Sequence, residues 1–102
     1  MTAASLALTG KQKNHLRGLA HSLHPLVIVG EKGLTESLLE ETRQALEAHE
    51  LIKVRVNAAD REEREQRIET ILEATASQLV QKIGHIAVLY RRAKKPKLQL
   101  PR

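Results

Sequence analysis

Residues 26–35, LVIVGEKGLT, decide how this chain folds. The apolar run Leu26–Val29 predicts a short strand that is buried on both faces. The two glycines that follow allow a tight turn, and Thr35 is a good N-cap for a helix that should run to about His49. The segment therefore predicts a strand–turn–helix unit of the kind from which α/β sheets are built.

The segments on either side extend this pattern. Thr9 caps a predicted helix over residues 9–22, which Pro25 ends. After the central helix, residues 51–56 alternate between apolar and basic side chains, as a half-buried strand does. Residues 60–77 begin with a capping aspartate and predict a third helix.

The last two strands form a predicted hairpin, Leu79–Ile83 and Ile86–Tyr90, joined by a Gly-His turn that suits type II′. The element order is α-β-α-β-α-β-β. The strand–helix–strand connections should be right-handed crossovers. If both run in the same direction along the sheet, the second and third helices lie on one face of it. The predicted fold class is an α/β two-layer sandwich with a four-stranded mixed sheet. The final strand is apolar on both faces and is expected to be central, whereas the position of the first helix stays open.

Length and composition limit the possible functions. The chain has 102 residues, enough for one domain, and we interpret residues 1–8 as a flexible leader and 9–102 as that domain. It contains no Cys, which excludes thiol catalysis and disulfides, and no run long enough to span a membrane. A cytoplasmic protein follows as the expectation. With Tyr90 as its only aromatic residue, the chain lacks rows of base-stacking side chains.

The net charge of +5 is unevenly distributed. Residues 91–102 carry six basic residues and no acid, whereas the rest holds 11 basic and 12 acidic residues. This basic C-terminal tail predicts a polyanionic partner, unless it is merely a solubilising end. Its candidate contacts are Arg91, Arg92, Lys94 and Lys95.

The loop Gly30-Glu31-Lys32-Gly33 is the sharpest local candidate for a binding site. Its glycines let a phosphate approach the backbone close to a helix N-terminus, and Lys32 adds a positive charge. Glu31 works against that attraction, and the loop is also compatible with an ordinary strand–helix turn.

Two further pairs of basic residues are candidates. Lys13 and Arg17 share one stripe of the first helix, and Lys53 and Arg55 share the outward face of a strand. Both pairs could contact phosphates, or could simply be solvated.

Catalytic and metal sites are not predicted. His15, His21 and His24 have no carboxylate nearby in the sequence, and Pro25 interrupts their helical spacing. The serines lack a nucleophile-elbow setting, and the acidic residues form salt-bridged helix surfaces. We therefore expect no enzyme activity, no metal and no cofactor.

Several motifs together resemble a known family. The motif G-x-x-G-L-T begins at Gly30, and the motif H-E-L-I-K-V begins at His49. With the tripeptide Leu23-His24-Pro25 before them and Val88-Leu89-Tyr90-Arg91 after them, they resemble the CRM domain (chloroplast RNA splicing and ribosome maturation). A chain with a single domain of this size is similar to the bacterial members of that family.

The resemblance implies an RNA-binding domain with a fold similar to the C-terminal domain of translation initiation factor three. It implies that the partner is ribosomal RNA in precursors of the large ribosomal subunit, and that the chain assists ribosome assembly. The loop at residues 30–33 is then likened to the loop of KH domains, which clamps the nucleotide backbone.

The sequence thus predicts a monomeric, non-enzymatic RNA-binding protein with weak sequence preference. One alternative is a protein–protein adaptor that binds a ribosomal protein or an assembly factor. Another is a small hydrolase or nuclease, which would need a cluster of acidic or histidine residues that the sequence does not display.

Overall fold

A computed structural model describes residues 7–102. Three helices and four strands follow one another in the predicted order α-β-α-β-α-β-β. Their bounds are α1 Gly10–Ala20, β1 Pro25–Val29, α2 Glu36–His49, β2 Leu51–Val56, α3 Arg61–Thr75, β3 Gln78–Ile83 and β4 Ile86–Tyr90. No helix in the described part of the chain combines the length and the hydropathy needed to cross a membrane. Residues 1–6 of the predicted leader lie outside the described residues.

The four strands form one mixed sheet with the order β1-β2-β4-β3. Strands β1 and β2 are parallel, and the other two pairs are antiparallel. The apolar strand β4 is central, as predicted. Ile83 pairs with Ile86 across a two-residue turn in which Gly84 has a φ of +56°, so the hairpin is confirmed.

Helices α2 and α3 cover one face of the sheet. The side chains of Ile52, Val54 and Val56 point to this face and are buried, and they pack with Leu46 of α2 and Ile71 of α3. Their period of two along β2 confirms the alternation read from the sequence. This layer holds the larger hydrophobic core.

Helix α1 lies on the opposite face and packs on β2 and β3. Leu16 and Ala20 are buried there against Leu51, Val88 and Tyr90. The position of the first helix, which the sequence left open, is therefore settled by these contacts. The sheet has a complete helical layer on one side and a single helix on the other.

The expectation that β1 is buried on both faces is wrong. Val27 and Val29 are buried, but the exposed fractions of Leu26 and Ile28 are 52% and 57%. Strand β1 is at the edge of the sheet, and α1 packs over β2 and β3 instead of over β1. The apolar side chains on the α1 side of β1 consequently remain in contact with solvent.

The three helices begin at the N-cap residues that the sequence predicts. Thr9 and Thr35 accept hydrogen bonds through their hydroxyl oxygens from the backbone N–H groups of residues 12 and 38, both at 3.1 Å. Asp60 accepts one from Glu63 at 2.8 Å. Helices α1 and α3 end two residues earlier than predicted, and α3 ends where Ala76 takes a left-handed conformation.

Candidate functional site

The loop between β1 and α2 is a closed turn. The N–H of Gly33 donates to the carbonyl oxygen of Gly30 at 3.0 Å, and this leaves Glu31 and Lys32 exposed at the tip. Gly33 has a φ of +71°, a conformation that favours glycine. The loop therefore presents one cation and one anion on a backbone that depends on Gly33.

Arg67 of α3 supports this loop, and the sequence reading missed it. Its Nη1 donates to the carbonyl oxygen of Asn57 at 2.6 Å, and its Nη2 pairs with Glu63. A Cβ atom added at Gly33 would lie 3.2 Å from Nη2 of Arg67, so the guanidinium lies directly against the turn. The sequence offers only the i,i+4 spacing of Glu63 and Arg67 as a signal, and that spacing is typical of an ordinary surface ion pair.

Two side chains weaken the attraction of anions to the start of α2. Thr35 uses its hydroxyl oxygen to cap the N–H of Leu38, and Glu36 adds a carboxylate to the first turn. Both reduce the positive potential of the helix N-terminus. Lys32 at the tip of the turn is therefore the group in this region best placed to meet a phosphate.

The structure brings the two other pairs of basic residues to the same side of the sheet. Lys53 and Arg55 alternate with the residues that face α2 and α3, so they project from the face that carries α1. Lys13 and Arg17 lie on α1 itself, and Arg17 and Arg55 are exposed. These four residues, Lys13, Arg17, Lys53 and Arg55, are called the basic face below.

Arg91, the first residue of the predicted tail, is bound within the protein. Its guanidinium donates to the carbonyl oxygens of Thr75 and Arg43 at 3.1 and 3.3 Å. It also contacts the carboxylate of Glu47 at 3.2 Å. These contacts join the end of β4 to α2 and α3, so the structure gives Arg91 a role in the fold.

The rest of the C-terminal segment is held by Glu50. Its carboxylate is fully buried and accepts hydrogen bonds from the N–H groups of Ala93, Lys97 and Leu98 at 2.8, 2.6 and 2.7 Å. Burial alone would raise the pKa of Glu50, but these three hydrogen bonds outweigh it and hold the pKa below its ordinary value. Leu98 and Leu100 also pack on the core under α1.

The exposed cations of this segment are remote from the loop. Arg92, Lys94 and Lys95 are exposed and follow Tyr90, which pairs with Leu51 at the beginning of β2. The loop follows Val29, which pairs with the last residue of β2. The two groups are separated by the length of this strand, roughly 17 Å for six residues.

The charges of the chain are divided between its segments, although Lys82 and Arg91 of the basic segments pair with Glu65 and Glu47 of the α2 and α3 layer. Residues 31–50 and 57–75, which form the loop, α2 and α3, contain all 12 acidic residues and five basic ones, a net charge of −7. The remaining segments contain 12 basic residues and no acidic one. The outer surface of α2 and α3 is therefore acidic, whereas α1, the strands and the C-terminal segment are basic.

Comparison with known proteins identifies the family of the chain. Residues 8–91 match the model of the CRS1 / YhbY (CRM) domain. The chain belongs to the CRM domain family. It is 53% identical over 95 residues to a Haemophilus influenzae protein named as an RNA-binding protein, with 93% of this chain and 96% of the relative covered.

Other members of the CRM family support the fold as well. A Bacillus subtilis relative named as a candidate RNA-binding protein is 43% identical and covers 92% of this chain and 99% of its own. The solution structure of a Staphylococcus aureus protein, described as a candidate RNA-binding protein, matches with a TM-score of 0.80 and 43% identity. It covers 93% of this chain and all of its own. The CRM assignment and the α/β fold with its mixed sheet are thereby confirmed.

Proposed function

We propose that this protein binds RNA without catalysing a reaction, and that its partner is ribosomal RNA in precursors of the large ribosomal subunit. Binding there would assist ribosome assembly in the cytoplasm. The names of the CRM relatives support the RNA partner, and the resemblance described above supports the ribosomal one. The observation that carries the proposal is the division of charge across the sheet.

The division of charge gives the bound RNA one orientation. A polyanion is attracted to the basic face and to the exposed cations of the C-terminal segment, and it is repelled by the outer surface of α2 and α3, whose segments carry a net charge of −7. The basic face then lies against the phosphates, while the outer surfaces of α2 and α3 point away from the RNA. A single orientation is useful to an assembly protein because the outer surface of α2 and α3 then always points away from the RNA and stays accessible.

The loop at residues 30–33 contributes a contact at one end of the strand pair β1 and β2. Lys32 meets a phosphate as a point charge, and the turn closed by the hydrogen bond between Gly33 and Gly30 positions it. Because Glu31 is adjacent, this contact is weaker than a purely basic loop would make. We therefore expect the basic face to supply more of the affinity than the loop.

The C-terminal segment contributes at the other end. Arg92, Lys94 and Lys95 are exposed on backbone that Glu50 fixes. Ordered cations lose less conformational entropy on binding than those of a mobile tail. Arg91 takes no part in this contact because its guanidinium is bound to α2 and α3.

The contacts to phosphate carry little sequence information. Tyr90, the only aromatic residue, is buried under α1 and cannot stack on a base. Affinity should therefore be mainly electrostatic and strongly dependent on salt.

The test compares matched single substitutions on the two sides of the sheet. Binding of a structured ribosomal RNA fragment is measured as a function of salt for Arg17→Gln, Arg55→Gln and Arg61→Gln, the last on the acidic layer. The first two should each lower the slope of log K against log salt by about 1, and Arg61→Gln should leave it unchanged. Equal slopes for all three variants would contradict the orientation.

The ribosomal part of the proposal needs a separate experiment. Crosslinking in cells, followed by sequencing of the attached RNA, should recover ribosomal RNA of large-subunit precursors. Recovery of proteins without ribosomal RNA would instead support an adaptor that binds a ribosomal protein or an assembly factor.

A further inference from the structure

A groove on the α1 side of the sheet is not used by the phosphate contacts. It has a volume of about 470 Å³ and lies between the end of α1, the start of β1 and the C-terminal segment. Its lining consists of Leu19, Ser22, Leu23, His24, Leu26, His49, Leu51, Ile52 and Leu98. Ligand sites are typically concave, of this volume, and lined by apolar side chains with a few polar groups, so the groove has the properties of a site for a small ligand.

The walls of the groove are aliphatic and open to solvent. The exposed fractions of Leu19, Leu23 and Leu26 are 41%, 36% and 52%. Three large apolar side chains exposed side by side form a continuous patch rather than scattered surface residues. A flat apolar ligand would fit against such walls.

Three polar side chains lie among the apolar ones. The imidazoles of His24 and His49 and the hydroxyl of Ser22 can each donate or accept a hydrogen bond. Groups of this kind can pair with the polar edge of a planar ring whose faces rest on leucine side chains. The lining therefore offers apolar contacts for the faces of a nucleobase and hydrogen-bonding groups for its edge.

The rim of the groove is basic, and the neighbouring carboxylate of Glu50 is buried and accepts hydrogen bonds from the C-terminal segment. Lys53 follows the lining residue Ile52 and pairs with Pro25 at the start of β1, and Lys97 precedes the lining residue Leu98. Residues 1–30 and 77–102, which supply most of the lining, contain no acidic residue. A base with a phosphate on either side of it matches this combination of apolar walls and a basic rim.

We propose that the groove binds one unpaired nucleobase of the RNA, an inference that rests on the proposed function. The phosphates flanking this base contact the basic rim. The groove then gives the protein a preference for RNA with an unpaired base, which phosphate contacts cannot supply. A second copy of this chain is a poorer occupant because its own rim would carry the same positive charge. The loop and the groove lie at opposite ends of β1, roughly 13 Å apart.

The inference predicts a preference for RNA helices that carry an unpaired nucleotide. The probes are an RNA hairpin, the same hairpin with one bulged 2-aminopurine, and the same hairpin with an abasic bulge. The bulged base should raise affinity about tenfold over both other probes, and its fluorescence should change when the protein binds. Equal affinity for the base-containing and abasic bulges would overturn the inference.

Matched variants locate the effect. Leu23→Ser and Leu26→Ser should remove the tenfold gain and leave binding of the uninterrupted hairpin unchanged. Ile83→Ser is the control, because Ile83 is an apolar residue that is 58% exposed on β3 and does not line the groove. Loss of the gain in Ile83→Ser as well would contradict the assignment to the groove.

Failure of this inference is distinguishable from failure of the proposed function. If the bulged base does not raise affinity while Arg17→Gln still lowers the slope of log K against log salt, only the assignment of the groove is contradicted. If the uninterrupted hairpin does not bind at all, the proposed function falls with it. Sedimentation gives a third readout: dimers that Leu26→Ser dissociates would show that a second copy occupies the groove, which overturns the inference.

Discussion

The carboxylate of Glu50 accepts a hydrogen bond from the backbone N–H of Lys97 at 2.6 Å, although the two residues are 47 positions apart. Glu50 follows α2 with a φ of +65°, and this backbone conformation is rare for a residue other than glycine. Its side chain lies beneath the C-terminal segment, where it also accepts hydrogen bonds from Ala93 and Leu98. One buried carboxylate thus turns a basic tail into an ordered part of the domain.

Replacing Glu50 with Gln should lower the free energy of unfolding by about 2–3 kcal/mol at pH 7, because three N–H donors lose a charged acceptor. The lowered pKa of Glu50 means that its stabilisation is complete above the ordinary value of 4.5 and is lost as the pH falls through the lower, folded-state value. Urea unfolding below pH 4.5 should therefore be less pH-dependent in Glu50→Gln. The exposed Glu69→Gln is the control, and an equal loss of stability in both variants would contradict this role.

Arg91 and Arg92 are adjacent and should nevertheless behave differently. Arg91→Gln removes contacts to α2 and α3 and should cost about 1–3 kcal/mol of stability. Arg92→Gln should leave thermal unfolding unchanged and lower the salt slope of RNA binding by about 1. The opposite assignment of the two effects would show that Arg91 faces the RNA.

Lys32→Glu reverses one charge at the tip of the loop without requiring new backbone angles. It should weaken RNA binding severalfold while the melting temperature stays constant, since Lys32 is exposed. Glu31→Gln is the matched change, and it should strengthen binding by removing the opposing charge. Unchanged affinity in both variants would make the loop an ordinary turn.

Gly33 and Arg67 should be coupled in stability. Gly33→Ala places a Cβ atom 3.2 Å from Nη2 of Arg67 in a left-handed conformation, so it should cost about 1–2 kcal/mol. In the background of Arg67→Ala the same change should cost less, because only the backbone strain remains. A double-mutant cycle measured by urea unfolding tests this, and strict additivity would place the guanidinium away from the turn.

The core assignment is tested by two leucines of α2. Leu46 is fully buried, and Leu46→Ala should cost about 2–5 kcal/mol in free energy of unfolding. Leu39 is only partly buried, so Leu39→Ala should cost clearly less. Equal costs would mean that α2 presents a different face to the sheet.

Much of this architecture could be predicted from local sequence. Helix starts depend on groups three residues apart, as in Thr35 and Leu38, and strand faces depend on a period of two, as in β2. The glycine turns at Gly33 and Gly84 are also local, since each needs a positive φ at one position. The loop, the hairpin and most of the buried residues therefore followed from the chain itself.

Other features depend on which element covers which. The apolar run of β1 indicates burial, but its outer side is exposed because α1 packs over β2 and β3 instead. Arg91 and Arg92 look alike in the sequence. They differ in the structure because α2 and α3 lie where they can accept hydrogen bonds from Arg91.

The sequence by itself determined the elements, their ends and the family motif, because capping, turns and periodicity act over a few residues. It also determined that every acidic residue lies between residues 31 and 73. Only the tertiary structure decided that the acids of α2 and α3 share one side of the sheet, that Glu50 holds the C-terminal segment and that Arg67 lies against Gly33. Such relationships join residues that are tens of positions apart, and packing alone brings them into contact.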